Sequence, residues 1–111
     1  MNVDDSIVVY ITAGNEIEAE RIANALVEKR LAACATLISP VKSIYRWKDN
    51  IEKEREILII AKTKSRLFES LKTEVLSIHS YEVPEIISIP IGKGHGAYMD
   101  WIDENTGSKN E

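Results

Sequence analysis

Residues Ala33 to Trp47 and Ile51 to Lys64 form two consecutive β-patterned arms around Lys48-Asp49-Asn50, and no other feature restricts the fold of this chain so sharply. The Asp and Asn of the joint suit a turn and tolerate positive φ, so the arms close into a hairpin. Strands average about 5–6 residues, whereas each arm runs to roughly 14 residues, or about 45 Å at strand rise. The outer half of the hairpin therefore finds no partner strand in its own chain. It carries Ile44, Tyr45, Trp47 and Ile51, apolar groups whose exposure to water costs free energy. A second copy of the chain is expected to cover them, which implies a homo-oligomer.

Charge suggests a register for this hairpin. A three-residue loop at Lys48 to Asn50 pairs Trp47 with Ile51, Arg46 with Glu52, Ile44 with Glu54 and Lys42 with Glu56. A two-residue loop at Asp49-Asn50 opposes Arg46 and Lys53 instead. Opposite charges directly across a ladder contribute roughly 0.2–1 kcal/mol per pair, and like charges oppose pairing. The three-residue loop is the expected one, with Trp47 and Ile51 on the same face. Pro40 marks a bulge or an edge in the first arm.

Around the hairpin the pattern alternates. Ile7, Val9, Ile11 and Ala13 share one face of a first strand, with Val8, Tyr10 and Thr12 on the other. Asn15 is placed to cap a helix with Glu18 three residues on, a variant of the capping box. Ala19, Ile22, Ala23, Leu26, Val27 and Leu31 then recur at helical spacing. Ser65 is placed to cap a second helix carrying Leu67, Phe68, Leu71, Val75 and Ile78. A fourth strand runs from Glu85 to Ile91, and Tyr98, Trp101 and Ile102 mark a short closing helix. The order β-α-β-β-α-β is the split βαβ arrangement of α+β, ferredoxin-like folds, with a four-stranded antiparallel sheet and an added C-terminal helix. Residues 1–111 form a single domain, with an ordered core over about 6–105 and a polar tail after it.

Composition removes several function classes. Fourteen basic residues, scattered along the chain, against eighteen acidic ones give a net charge of −4, so nucleic-acid binding is not expected. No apolar run approaches the roughly 20 residues that span a bilayer, and no N-terminal stretch resembles a signal peptide. The single Cys34 has no intrachain disulfide partner, which suits a reducing compartment. A cytosolic protein without membrane partners is expected. No Ser, His and acid set with recognisable spacing, HExxH or CxxC is present, so no enzymatic activity is expected.

Chemistry concentrates in His79-Ser80-Tyr81-Glu82-Val83-Pro84-Glu85-Ile86-Ile87. Proline fixes its own φ and holds Val83 extended, so this segment is either a rigid helix-to-strand joint or a cleft wall. Neutral imidazole suits copper and zinc, but His79 alone makes no site and would need Glu82, Glu85 or a second chain. The alternative for His79 is a hydrogen-bonded structural histidine. Cys34, among small apolar residues, is a small buried hydrophobe or a soft-metal thiolate. Lys62, at the end of the third strand, is a solvated strand end or an ammonium group in an intersubunit cleft with Tyr81. The Gly92 to Gly96 loop lacks the spacings that cradle phosphates. Tyr45, Trp47, Ile51 and Trp101 are candidates for the subunit interface, and no bound cofactor is required.

Four segments in one order, Leu31-Ala32-Ala33-Cys34-Ala35, Ser43-Ile44-Tyr45-Arg46-Trp47, His79 to Ile86, and Tyr98-Met99-Asp100-Trp101-Ile102, resemble the divalent-cation tolerance proteins called CutA. The resemblance covers residues 7 to 102 or so. It implies a ferredoxin-like subunit in a tight homotrimer, similar to PII signalling proteins, with lateral clefts between subunits and copper or another divalent cation as the usual ligand. Some members proposed to bind copper have a Cys in the first strand and a histidine pair where this chain has Ile11, Ile78 and Ser80; it keeps His79 alone. The expected function is divalent-cation tolerance with weak metal binding at intersubunit clefts. The rivals are a PII-like module that binds a small anion through Lys62, and a structural trimeric scaffold.

Overall fold

The computed structural model describes residues 5–108. Strand β1 (Ser6–Ala13), helix α1 (Glu16–Glu28), the hairpin strands β2 (Cys34–Trp47) and β3 (Asn50–Lys64), helix α2 (Phe68–Ile78), strand β4 (Ile86–Pro90) and helix α3 (Gly96–Glu104) follow in order. The strands form one antiparallel sheet in the order β2-β3-β1-β4, the ferredoxin-like α+β arrangement. Period-2 alternation sends Ile7, Val9, Ile11, Ala13, Ile57, Ile59 and Ala61 to the helix-covered face. There they pack with Ala19, Ile22 and Leu26 of α1 and with Leu71 and Val75 of α2. Asn15 caps α1, its Oδ1 accepting the Glu18 N–H at 2.9 Å. The helix closes with Arg30 at φ 58°, while the Leu26 carbonyl accepts N–H bonds from Leu31 and Ala32. The Arg30 guanidinium donates to the carbonyls of Glu104 and Gly107, which anchors the segment after α3.

The second helix starts differently from expectation. Ser65 opens a 3₁₀ turn (Ser65–Leu67) that feeds α2, and no side chain caps either start. The turn keeps the chain tight at the end of β3, where the Ser65 N–H reaches the Asp5 carbonyl.

The hairpin register also differs. Trp47 pairs with Asn50, Arg46 with Ile51, Tyr45 with Glu52, Ile44 with Lys53 and Lys42 with Arg55. The loop is the two residues Lys48 and Asp49, at φ 48° and 68°. Two successive positive φ values are the mark of a type I′ turn, whose twist matches the strands it joins. That match outweighs two exposed charge pairs worth a few tenths of a kcal/mol each. The expected bulge is present, with one extra β2 residue between the Ile38↔Leu58 and Val41↔Glu56 pairs, at Ser39-Pro40.

A one-residue change of register moves one strand's side chains to the opposite face relative to its partner. Trp47 and Ile51 consequently lie on opposite faces, and charge separates completely between them. One face of the ribbon carries Tyr45, Trp47, Glu52, Glu54 and Glu56; the other carries Lys42, Ile44, Arg46, Ile51, Lys53 and Arg55.

The second face of the sheet is uncovered over most of its area, α3 meeting it only at one end, where Tyr98 reaches Cys34 and Asp103 pairs with Lys64. Rows Thr36–Ile60–Tyr10–Ile87 and Cys34–Lys62–Val8–Ile89 cross it, with Ile38 and Leu58 beside them. Ile38, Ile87 and Ile89 are 44%, 50% and 46% exposed. The contiguous run Ile57-Leu58-Ile59-Ile60-Ala61 is the signature of a strand buried on both faces, but α1 and α2 cover only one of them here.

Candidate functional site

Where the hairpin leaves the sheet, a cleft of about 620 Å³ opens between the ribbon and the segment after α2. Thr12 floors it, Ser43, Tyr45, Trp47 and Glu56 line it from the ribbon, and Tyr81, Glu82, Val83 and Glu85 form the far wall. Its position follows from local rules. Helix α2 ends at Ile78, extended backbone begins at His79, and Pro84 keeps the segment from coiling back before β4.

His79 fastens this wall to the sheet. Its side chain is 0% exposed. The Tyr81 N–H donates to Nδ1 at 3.1 Å, so that nitrogen carries no proton and Nε2–H donates to the Thr12 carbonyl at 2.6 Å. Both ring nitrogens are thus committed within the chain, and the ring packs 4.7 Å from that of Tyr81. Glu18 provides a second tie, its two oxygens accepting from the Ser80 N–H at 2.9 Å and the Ser80 hydroxyl at 3.0 Å. The Glu18 side chain therefore spans to the joint instead of returning to its own N-cap.

Held this way, Tyr81 donates its hydroxyl to Glu56 Oε2 at 2.7 Å. Burial, and then the bond to Glu56, push its phenol well above the ordinary value and keep it a neutral donor. A Cβ added to Gly14 would meet the Tyr81 hydroxyl at 3.1 Å, so the absence of a side chain there leaves room for the hydroxyl end of the ring. The Tyr45 phenol is also raised, by desolvation and then by Glu54, Glu56 and Glu52. Glu82 and Glu85 stand exposed at the mouth, with Lys48 Nζ 3.9 Å from Glu82.

Of the other candidates, Tyr45 and Trp47 line the cleft, whereas Cys34, Lys62, Ile51 and Trp101 lie outside its lining. Cys34 and Lys62 pair with each other on the open sheet face, four residues along β3 from the Leu58 that faces Thr12, or roughly 13 Å at strand rise. Cys34 Sγ sits 3.7 Å from the Tyr98 hydroxyl, and the hydrogen bond to Cys34, with burial, raises the Tyr98 phenol. Tyr98 stacks on Trp101 at 5.5 Å. Tyr45, Trp47, Ile51 and Trp101 are all exposed in the single chain. Among the described residues, no three His, Cys, Asp or Glu side chains are grouped to hold a metal ion. Glu56 and Glu18 were the residues missed by sequence reasoning. Glu56 ends an alternating charged run, and its one signal is that it abuts the apolar run beginning at Ile57.

Comparison with known proteins gives a consistent picture. The family profile described as CutA1 divalent ion tolerance protein matches residues 7–105. The divalent-cation tolerance protein CutA of Thermus thermophilus is 46% identical over 100 residues, covering 90% of this chain and 97% of that one. The human protein CutA is 46% identical over 99 residues, of which this chain spans 55% of the length. Among solved structures, the Thermus thermophilus protein superposes with a TM-score of 0.90 at 45% identity, covering 92% of this chain and 99% of that one. The Archaeoglobus fulgidus protein, described as a periplasmic divalent cation tolerance protein, gives 0.87 at 45% identity, covering 90% and 97%.

Proposed function

Given that the chain belongs to the CutA1 divalent ion tolerance protein family, we propose that it works as a cyclic homotrimer that meets divalent cations, copper among them, at the acidic cleft beside Tyr81. The observation that carries the cation reading is the convergence of Glu56, Glu82 and Glu85 on one cavity. His79 acts here as a positioning residue, because its nitrogens already hold Thr12 and Tyr81. Ligation falls to the carboxylates, and one chain brings too few of them together for a tight site. Weak binding completed by a neighbouring subunit follows.

Two features support the ring. The uncovered apolar sheet face calls for a partner surface, and a hairpin acidic on one face and basic on the other is complementary to a copy of itself turned head to tail. Such an interface is heterologous and closes by rotation, whereas a two-fold dimer needs a self-complementary patch. Three is the smallest number of subunits that can close a heterologous ring. No described helix is long and apolar enough to cross a membrane; our reading places the trimer in the cytosol, where the unpaired Cys34 stays reduced.

Calorimetric titration of the purified, tag-free protein with copper(II) and zinc tests the cation reading. Glu82→Gln/Glu85→Gln is expected to weaken binding by at least about tenfold, since affinity for such ions follows the charge of the ligand set. Binding unchanged in that double variant contradicts the assignment.

A further inference from the structure

Three features around His79 suit a second proton on its ring. It is the C-cap of α2, its backbone N–H held by the Val75 carbonyl, and the carbonyl end of a helix favours a cation. Its ring is buried, so a positive charge there needs a partner close by. Glu18 is that partner, its Oε2 standing 3.9 Å from Nδ1 and its side chain only 11% exposed.

The groups packed around the ring decide what that proton does. From β1 the Thr12 carbonyl accepts the Nε2–H, so a new proton enters at Nδ1. From the joint the Tyr81 N–H points at Nδ1 at 3.1 Å, and a protonated Nδ1 has no lone pair left for it. From α1 Glu18 faces Nδ1 while holding the Ser80 N–H and hydroxyl. From β3 Glu56 stands one bond further out and accepts the Tyr81 hydroxyl. Burial and the bond to Glu56 hold that phenol above its ordinary value, so it remains a neutral donor as the pH falls. Ser80 beside the ring is exposed, which brings solvent close to the pair.

We propose that Glu18 and His79 form a proton switch that sets the position of the cleft wall. With Nδ1 unprotonated, the Tyr81 N–H is held and the wall is latched to the sheet. When a solvent proton adds to the Nδ1 lone pair, the Tyr81 N–H loses its acceptor. Glu18 then closes from 3.9 Å to the roughly 2.8 Å of a charge-assisted bond, and no covalent bond breaks. The freed Tyr81 backbone draws the ring away from Glu56, so the wall of Tyr81, Glu82, Val83 and Glu85 loosens on acidification and resets on neutralisation. The switch acts inside the chain and holds whichever ligand the cleft takes, so it does not rest on the cation reading.

The chain has two histidines, and the other, His95, is exposed and makes no side-chain bond to the start of α3. His95→Gln therefore leaves His79 as the one imidazole to follow. The test is a metal-free titration of that assembled protein from about pH 8 to pH 4, the span over which imidazoles and carboxylates titrate. The readouts are the His79 ring nitrogen shifts, hydrogen exchange at the Tyr81 amide corrected for its intrinsic rate, and far-ultraviolet circular dichroism. Nδ1 is expected to gain its proton with the dichroism unchanged, and Tyr81 exchange to rise at least about tenfold in the same step. Glu18→Gln, which keeps an oxygen for Ser80, should shift the step to lower pH by at least about one unit, because a neutral amide does not offset an imidazolium. Glu82→Gln/Glu85→Gln should leave the step in place, so failure of the metal assignment and failure of this one are separable. The proposal is overturned if Nδ1 stays unprotonated across the range, if it gains a proton with Tyr81 exchange unchanged, or if the step coincides with loss of dichroism. It is equally overturned if Glu18→Gln titrates as its parent does. The first three outcomes are read without that variant, so they decide the matter even where Glu18→Gln does not fold.

Discussion

Ile60→Asp is expected to leave a folded protein that sediments as single 12.5 kDa chains. Ile60 stands at the centre of the uncovered sheet face, between Thr36 and Tyr10, and contributes nothing to the helix-covered core. In a lone chain an aspartate there meets water. In an assembly that closes this face it becomes a buried charge without a partner, which costs on the order of 3–5 kcal/mol per site. A cyclic assembly repeats that cost at every interface. Sedimentation velocity read together with far-ultraviolet circular dichroism checks both halves of the expectation. An unaltered mass contradicts the role given to this face, and loss of the dichroism places Ile60 in the core instead.

The second large effect is expected from His79→Ala. The substitution empties a fully buried position and strips partners from the Thr12 carbonyl and the Tyr81 N–H. An unpaired buried backbone group costs about 1–3 kcal/mol, and the cavity adds to that. A loss of roughly 2–4 kcal/mol in chemical denaturation follows, offset where water reaches the freed groups. Measurements need matched protein concentrations, because assembly contributes to apparent stability. With the ring gone, Tyr81 is no longer steered onto Glu56, so the cleft wall loosens too. A variant as stable as the wild type contradicts the claim that this histidine ties the wall to the sheet.

Much of the architecture was legible because it rests on periodicity. The alternation Ile7, Val9, Ile11, Ala13 and the helical spacing of Ala19, Ile22 and Leu26 settle on the buried faces that those patterns imply. The Asn15 cap and the bulge at Pro40 follow from local chemistry at single residues. The hairpin register did not follow from charge, because a tight turn at Lys48-Asp49 constrains the backbone more strongly than exposed ion pairs do. Reading Ile57 to Ala61 as buried on both sides was possible from composition alone, and would have pointed to the open sheet face as well as to the hairpin tip.

The site was less legible, since its logic is non-local. His79 and Tyr81 stand out in the sequence, but the roles of Glu18 and Glu56 depend on partners 62 and 25 residues away. A helix-start glutamate and the last member of a charged run look like solvated surface. Cys34 and Lys62 carry suitable chemistry at the wrong end of the sheet, a distance that no spacing in the sequence expresses.

The central claim is that this chain is one subunit of a closed ring, with the sheet face and the two-sided hairpin as its joints. Equilibrium sedimentation of the unmodified, tag-free protein across micromolar concentrations tests it most directly. The account predicts one species at three times the 12.5 kDa chain mass, unchanged on dilution, and a stably folded 12.5 kDa species would contradict it.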